Sequence, residues 1–297
     1  MSECKREWME QVRRYREQHL VSAEAKSRVM PPPIPYFGDE ILEMAATALL
    51  QGENLLLTGG KATGKNILAE NLAWMFGRPV YNISFHVNTD SSSLIGTDTF
   101  SDNQVKLRRG PVSQCAMYGG FGILDEINMA KNEAVSVLHA VLDHRRILDI
   151  PGYEKVPLAE ETRFIGTMNY GYAGTRELNE ALVSRFLVID MPEPEEDTLA
   201  QVFLHLFPKI RTSALKQVIG LFLDLQAKAS HGEITTRTLD LRGLIGALRT
   251  VELGLSPKKA VAMGVTNKTF DLFEKEIVED VVRTRIPDDW GREDVFE

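Results

Sequence analysis

The stretch Glu53-Asn-Leu-Leu-Leu-Thr-Gly-Gly-Lys-Ala-Thr-Gly-Lys-Asn-Ile-Leu68 constrains this chain more than any other. An apolar strand runs through a glycine-bearing loop into a helix. Gly59, four residues, Gly64 and Lys65 have the spacing of a Walker A loop, in which backbone N–H groups and a lysine surround phosphates. Glycine suits such a loop because a Cβ would block the approach of backbone to oxygen. The cofactor-binding candidates are therefore Gly59, Gly60, Lys61, Ala62, Thr63, Gly64, Lys65, Asn66 and Ile67.

Asn66 stands where Ser or Thr gives a hydroxyl to Mg²⁺ in this pattern. An amide oxygen also ligates hard cations. Two outcomes stay open on residues alone: Asn66 holds the metal, directly or through water, or it weakens metal binding and slows hydrolysis.

The second chemical signature is Phe121-Gly-Ile-Leu-Asp-Glu-Ile-Asn128, an apolar strand ending in two carboxylates. In a nucleotide hydrolase Asp125 would hold Mg²⁺ and Glu126 would polarise the attacking water. Both are expected at the C-terminal edge of a sheet, where open α/β folds bind ligands. Arg163-Phe-Ile-Gly-Thr-Met-Asn169 repeats the design, and Asn169 is placed to orient water near a γ-phosphate or simply to turn the chain. Arg185 precedes a strand over 186–189. It becomes catalytic if ATP lies between subunits, since a neighbour's guanidinium can stabilise charge on the transferring phosphoryl group. Arg237, at the expected start of a later helix, could reach the phosphates.

Around these signatures the chain reads in order. Trp8, Val12, Tyr15 and Leu20 predict an amphipathic helix docking on the body or on a neighbouring subunit. The linker Met30-Pro-Pro-Pro-Ile-Pro-Tyr36 stops it. Asp39 is expected to cap a helix over 40–50. A strand over 80–85 leads into a polar excursion, 86–109, too long for a simple connection. Asn132 is expected to open one helix through Leu142, ending in Asp143-His-Arg-Arg146. The break Pro192-Glu-Pro-Glu-Glu-Asp197 is taken as a domain boundary. Four helices are expected beyond it, their core stripes including Val202, Leu206 and Phe207, then Val218, Leu221, Phe222 and Leu225, then Leu239, Leu244, Leu248 and Val251, and finally Phe270, Phe273, Ile277 and Val281.

A chain of 297 residues, 43% hydrophobic, can bury a substantial core. Its net charge of −8 argues against electrostatic coating of nucleic acid. No apolar run approaches the ~18 residues that span a bilayer. The first residues are rich in charge and lack an apolar signal core, and the two cysteines, Cys4 and Cys115, suit neither a disulfide framework nor a zinc site, so a cytoplasmic location is expected. Cys115 reads as a small packed residue and not as a nucleophile.

With these residues in hand, the chain resembles the AAA+ ATPases of the MoxR group, and within it the CbbQ/NorQ-like subgroup. The likeness runs from about Tyr36 to Arg249. It is carried by the elements above together with Leu94-Ile-Gly96, Arg109-Gly-Pro111, Leu138 through Leu148, Thr167-Met-Asn-Tyr-Gly-Tyr172 and Ala181-Leu-Val-Ser-Arg-Phe186. The resemblance implies an α/β fold: an αβα P-loop domain with a five-stranded parallel sheet, over 36–192, then a small all-helical lid over 193–297. Residues 1–35 would supply the N-terminal helix and linker. It implies ATP and Mg²⁺ as cofactors, with Lys65 as the Walker A lysine, Asp125 and Glu126 as the Walker B pair and Asn169 as sensor 1. Arg185 matches the arginine finger and Arg237 sensor 2, while Asp125 would face the metal and Asn66 departs from the family's pattern at the position beside it. It further implies a ring, of six subunits, a protein client, a von Willebrand factor A domain partner, and chaperone-like remodelling or metal insertion. The excursion over 86–109 would be the family's helix-2 insert. Competing readings are an ATP-binding assembly switch with little hydrolysis and a DNA-acting or restriction-type motor, the latter disfavoured by the acidic balance.

Overall fold

The computed structural model of the chain describes residues 3–101, 103–170 and 177–297, with side chains for all of these except 3–6 and 101. Gly171 and Tyr172 of the motif quoted above, and the side chain of Cys4, lie outside the described residues. Contacts divide the chain into two units: residues 1–60 with 64–192, and residues 61–63 with 193–297.

The first unit runs α1 (Glu3–Gln18), α2 (Asp39–Leu50), β1 (Leu55–Gly59), α3 (Lys65–Met75), β2 (Val80–Ser84), α4 (Ser91–Ile95), β3 (Gly96–Ser101), β4 (Gln104–Arg109), α5 (Pro111–Tyr118) and β5 (Phe121–Asp125). It continues through α6 (Asn132–Val135), α7 (His139–Leu142), β6 (Ile147–Leu148), β7 (Val156–Pro157), β8 (Arg163–Asn169), α8 (Glu180–Val183) and β9 (Leu187–Asp190). Five strands form one parallel sheet in the order β2-β5-β8-β1-β9. This is the expected α/β fold.

The strands explain the sheet. Leu55, Leu56 and Leu57 of β1 and Phe121, Ile123 and Leu124 of β5 are all buried, the continuous apolar run of strands covered on both faces. Alternate residues feed two cores. Leu56, Ile83, Leu124 and Phe164 pack with Val112 and Cys115 of α5 and with Leu138 and Leu142. Leu55, Leu57, Ile123 and Ile165 pack on the other side with Ala45, Leu49, Leu68 and Leu72 of α2 and α3. Cys115 is fully buried, and its thiol donates to the Gly120 carbonyl at 3.3 Å.

Helix α1 joins the second core through Trp8, Val12 and Tyr15. Its Arg16 donates to the Trp74 carbonyl at 3.2 Å and lies over the Trp74 ring. Of the two docking alternatives, the helix therefore packs on its own unit. Leu20 falls past the end of α1 and is 84% exposed, so it is no part of that stripe. Asp39 is the first helical residue, preceded by Gly38 at φ 158°, and it does not cap.

Three other expectations are corrected. The span 132–142 is not one helix: a 3₁₀ turn at Ser136–Leu138 separates α6 from α7. Strand β2 ends at Ser84, and β9 begins at Leu187. Within the excursion over 86–109, whose elements the sequence left open, α4 is followed by an antiparallel hairpin, β3–β4, in which Phe100 faces Val105 in register.

The second unit is helical: α9 (Glu196–Leu206), α10 (Thr212–Ser230), α11 (Leu241–Glu252), α12 (Pro257–Gly264), α13 (Leu272–Arg285) and α14 (Arg292–Val295). Arg285 clamps Asp224 with two hydrogen bonds, 2.7 and 3.0 Å, pinning α13 to α10. Helices α11 and α12 meet at Gly243, where a Cβ would lie 2.1 Å from the Gly264 carbonyl oxygen. Helix α12 was not among the four expected. Phe207 and Leu239 lie outside the helices assigned to them, although both are buried. Phe270 and Phe273 are 82% and 81% exposed, not core, because an apolar stripe specifies a face and not what covers it. No helix among the described residues is long and apolar enough to cross a membrane.

Candidate functional site

Strand β1 ends in the loop that leads to α3. Gly59 sits at φ 141°, and a Cβ there would meet the Met191 carbonyl oxygen at 2.9 Å, so the position requires glycine. Gly64 is left-handed at φ 83° and serves as N-cap of α3. Ala62, also left-handed at φ 63°, stores backbone strain in the loop. Thr63 is buried, and Ile67 is half-buried on the first turn of α3.

Lys65 opens α3 and is only 8% exposed. Its ammonium donates to the carbonyls of Gly59 (3.1 Å) and Gly60 (2.6 Å). Burial pushes its pKa down to about 8, against the opposing pull of Asp125, Asp190 and Glu126. The cation is thus held against the carbonyls of the loop itself, at the start of α3.

The register of the sheet carries the other groups to the same edge. Gly59 pairs with Asn169 across β1 and β8, and Asp125 ends β5 on the other side of β8. Asn66 Nδ2 donates to Asp125 Oδ1 at 3.0 Å. Thr167 Oγ1 donates to the same oxygen at 2.7 Å. Glu126 follows in the left-handed region, φ 55° and ψ 45°, and its N–H donates to Thr167 Oγ1 at 3.1 Å. The exposed Glu126 carboxylate accepts from Asn169 Nδ2 at 3.4 Å, and Asn128 Nδ2 donates to the Asn169 carbonyl at 2.9 Å.

Asn66 Oδ1 is buried and has no hydrogen-bond partner. An orphaned amide oxygen beside a carboxylate fits a hard divalent cation, which takes oxygen donors and keeps open positions for water and phosphate oxygens. Among the described residues no cluster of three or more His, Cys, Asp or Glu could hold a metal unaided.

The structure brings together Lys65, Asn66, Asp125, Glu126 and Asn169. Arg185 has different company. Its Nη2 lies 3.6 Å from Asp143 Oδ2, its Nε donates to the His139 carbonyl at 3.2 Å, and its Nη1 donates to the Ala181 carbonyl. Arg145 also grips Asp143, at 2.6 and 3.1 Å, holding that carboxyl well below the usual carboxylate range. Arg237 belongs to the second unit and is exposed; it lies in a turn ahead of Leu241, not at the start of α11. Lys61 clusters with that unit and donates to the carbonyls of Thr236 and Arg237 at 3.4 and 3.3 Å.

Two features escaped sequence reasoning. Thr167 bridges both carboxylate residues, and its only signal is a hydroxyl among the apolar residues in the middle of β8. Asp190, at the end of β9, accepts from Thr58 at 3.2 Å and from the Tyr170 hydroxyl; nothing local in the sequence joins these three.

Comparison with known proteins bears on family and fold. Residues 54–186 match the family described as AAA domain (dynein-related subfamily). An uncharacterized protein of Bacillus subtilis, YojN, is 32% identical over 277 residues, covering 91% of this chain and 90% of that protein. An uncharacterized protein of Staphylococcus saprophyticus is 32% identical over 247 residues, 81% of this chain and 94% of its own. Among solved structures, one from Cytophaga hutchinsonii described as a candidate ATPase superposes with a TM-score of 0.50 at 17% identity, over 92% of this chain and 96% of that one. That likeness extends to the fold.

Proposed function

Because this chain belongs to the dynein-related subfamily of AAA domains and is an AAA-family ATPase, we propose that it uses Mg-ATP hydrolysis to remodel a protein client. The observation that carries the reading is the convergence of Lys65, Asn66, Asp125, Glu126 and Asn169 at one sheet edge. These groups divide the work of phosphoryl transfer to water among themselves.

The N–H groups of the loop and of the start of α3 receive phosphate oxygens, and Lys65 exchanges its two carbonyl partners for them. Asp125 and the amide oxygen of Asn66 would hold Mg²⁺, which when bound would neutralise charge on the phosphoryl group. Glu126 takes the proton of the attacking water, and Asn169 orients the carboxylate that does so. For Arg185 the proposed role is that of an arginine finger toward a neighbouring subunit's nucleotide, and for Arg237 that of sensor 2.

The finer reading places the chain in the MoxR group, CbbQ/NorQ-like, acting in the cytoplasm as a ring of six with a von Willebrand factor A domain partner in chaperone-like maturation or metal insertion. It is supported by the motifs that carry the resemblance. The alternative of an ATP-binding assembly switch draws on one observation, that the Asn66 amide occupies Asp125 Oδ1. Steady-state hydrolysis by the wild-type protein and by Asn66→Thr separates the two: turnover by the wild type supports the remodelling ATPase, and turnover by the variant alone supports the switch.

A further inference from the structure

Thr167 is 2% exposed, and it is a threonine in the middle of a sheet edge that otherwise carries groups aimed at a ligand. Its hydroxyl makes two hydrogen bonds of opposite sense. It donates to Asp125 Oδ1 at 2.7 Å and accepts from the Glu126 N–H at 3.1 Å. One oxygen on β8, two positions ahead of Asn169 on that strand, thereby fixes the last residue of β5 and the residue that follows it.

The second bond has a particular use. Glu126 adopts φ 55° and ψ 45°, a conformation that costs a non-glycine residue about 1 kcal/mol or more. Its N–H points to Thr167, not into a helix or sheet ladder. The bond therefore helps hold a strained backbone that turns the Glu126 side chain toward Asn169. The first bond matters equally. Asp125 Oδ1 accepts from both Thr167 and Asn66, which orients the carboxylate and leaves Oδ2 as its other donor to a cation.

We infer that Thr167 is a positioning residue for the hydrolytic site: its hydroxyl sets the metal-facing carboxylate of Asp125 and the left-handed backbone of Glu126 together, coupling both to the strand that carries Asn169. This rests on the proposed Mg-ATP hydrolysis, and its consequences divide in a way that core packing alone does not. A valine has nearly the shape of threonine and keeps the methyl contacts, but it can neither donate to Asp125 nor accept from Glu126.

The test compares Thr167→Val, Thr167→Ser and wild type in ATP binding without metal, in the Mg²⁺ concentration dependence of ATP binding, and in turnover. Thr167→Val is expected to bind metal-free ATP as wild type does, to need about 10- to 100-fold more Mg²⁺ for the same gain in affinity, and to lose turnover by a similar factor, the range for groups that orient metal ligands. Thr167→Ser, which keeps the hydroxyl, is expected to restore both. If the valine variant does not fold, Thr167→Cys, a weaker donor of similar size, takes its place. The inference is overturned if the valine variant keeps the wild-type Mg²⁺ dependence, or if serine is as impaired as valine, which would assign the effect to the methyl group. Should wild type bind ATP but not hydrolyse it, the ATPase reading falls while the Mg²⁺ dependence of binding still decides the role of Thr167.

Discussion

Asn66 and Asp125 are joined by a single hydrogen bond, 3.0 Å from amide nitrogen to carboxylate oxygen, which leaves the amide oxygen of Asn66 buried without a partner. A buried, unsatisfied acceptor costs about 1–3 kcal/mol. A cation that engages it recovers that cost, so the departure from Ser or Thr becomes a different way of presenting one oxygen to Mg²⁺.

Asn66→Ala is therefore expected to weaken the Mg²⁺ dependence of ATP binding by about tenfold or more while metal-free binding changes little. Titrating Mg²⁺ against a fluorescent ATP analogue checks this. An unchanged Mg²⁺ midpoint would show that the amide oxygen holds no metal.

Lys65 gives a pH dependence. With a pKa of about 8 in place of 10.5, it has lost about half of its charge near pH 8 in the nucleotide-free protein. Phosphates favour the ammonium, so ATP affinity is expected to fall as pH rises through that value and binding there to take up a proton. Calorimetry in buffers of different ionisation enthalpy measures the proton directly. For stability the sign is opposite: between about 8 and 10.5 the unfolded chain binds more protons at this group, so its contribution to folding becomes more favourable as pH rises across that window.

Arg185 is held by Asp143 and by two carbonyls of its own chain. If it serves a neighbour's nucleotide, Arg185→Ala should keep ATP binding and lose about 10³-fold or more in turnover. Mixing it with Lys65→Ala subunits should restore part of the activity, because some interfaces then pair an intact loop with an intact arginine. No restoration at any mixing ratio would place Arg185 outside catalysis in trans.

Helix α1 supplies a stability prediction. Trp8 packs into the core on the α2 and α3 side of the sheet, so Trp8→Ala should cost about 3 kcal/mol in denaturant unfolding. A loss below about 0.5 kcal/mol, the range of surface substitutions, would mean the helix does not dock as described.

The fold was legible where local chemistry decides it. A strand, a glycine loop and a helix start are adjacent in sequence, and so are the apolar run and carboxylates of β5; a parallel sheet follows because these strands are apolar on both faces. What escaped depends on distant chain. The break at Ser136–Leu138 has no proline or glycine to announce it. Phe273 has the periodicity of a core residue and lies exposed, with no other element among the described residues covering that face. Thr167 meets Asp125 and Glu126 only because β8 and β5 are neighbours in the sheet. Residue types suggested the groups at the site, whereas the hydroxyl that joins them became visible through strand order.

The central claim, that this sheet edge hydrolyses ATP with Mg²⁺, is tested most directly by steady-state phosphate release from the wild-type protein beside Glu126→Gln, with and without Mg²⁺, and with ATP binding followed in parallel. The account predicts Mg²⁺-dependent turnover by wild type, a loss of about 10²- to 10⁴-fold in Glu126→Gln, and ATP binding retained in both. Equal rates in the two proteins, or a wild type that binds ATP and releases no phosphate at any Mg²⁺ concentration, would contradict it.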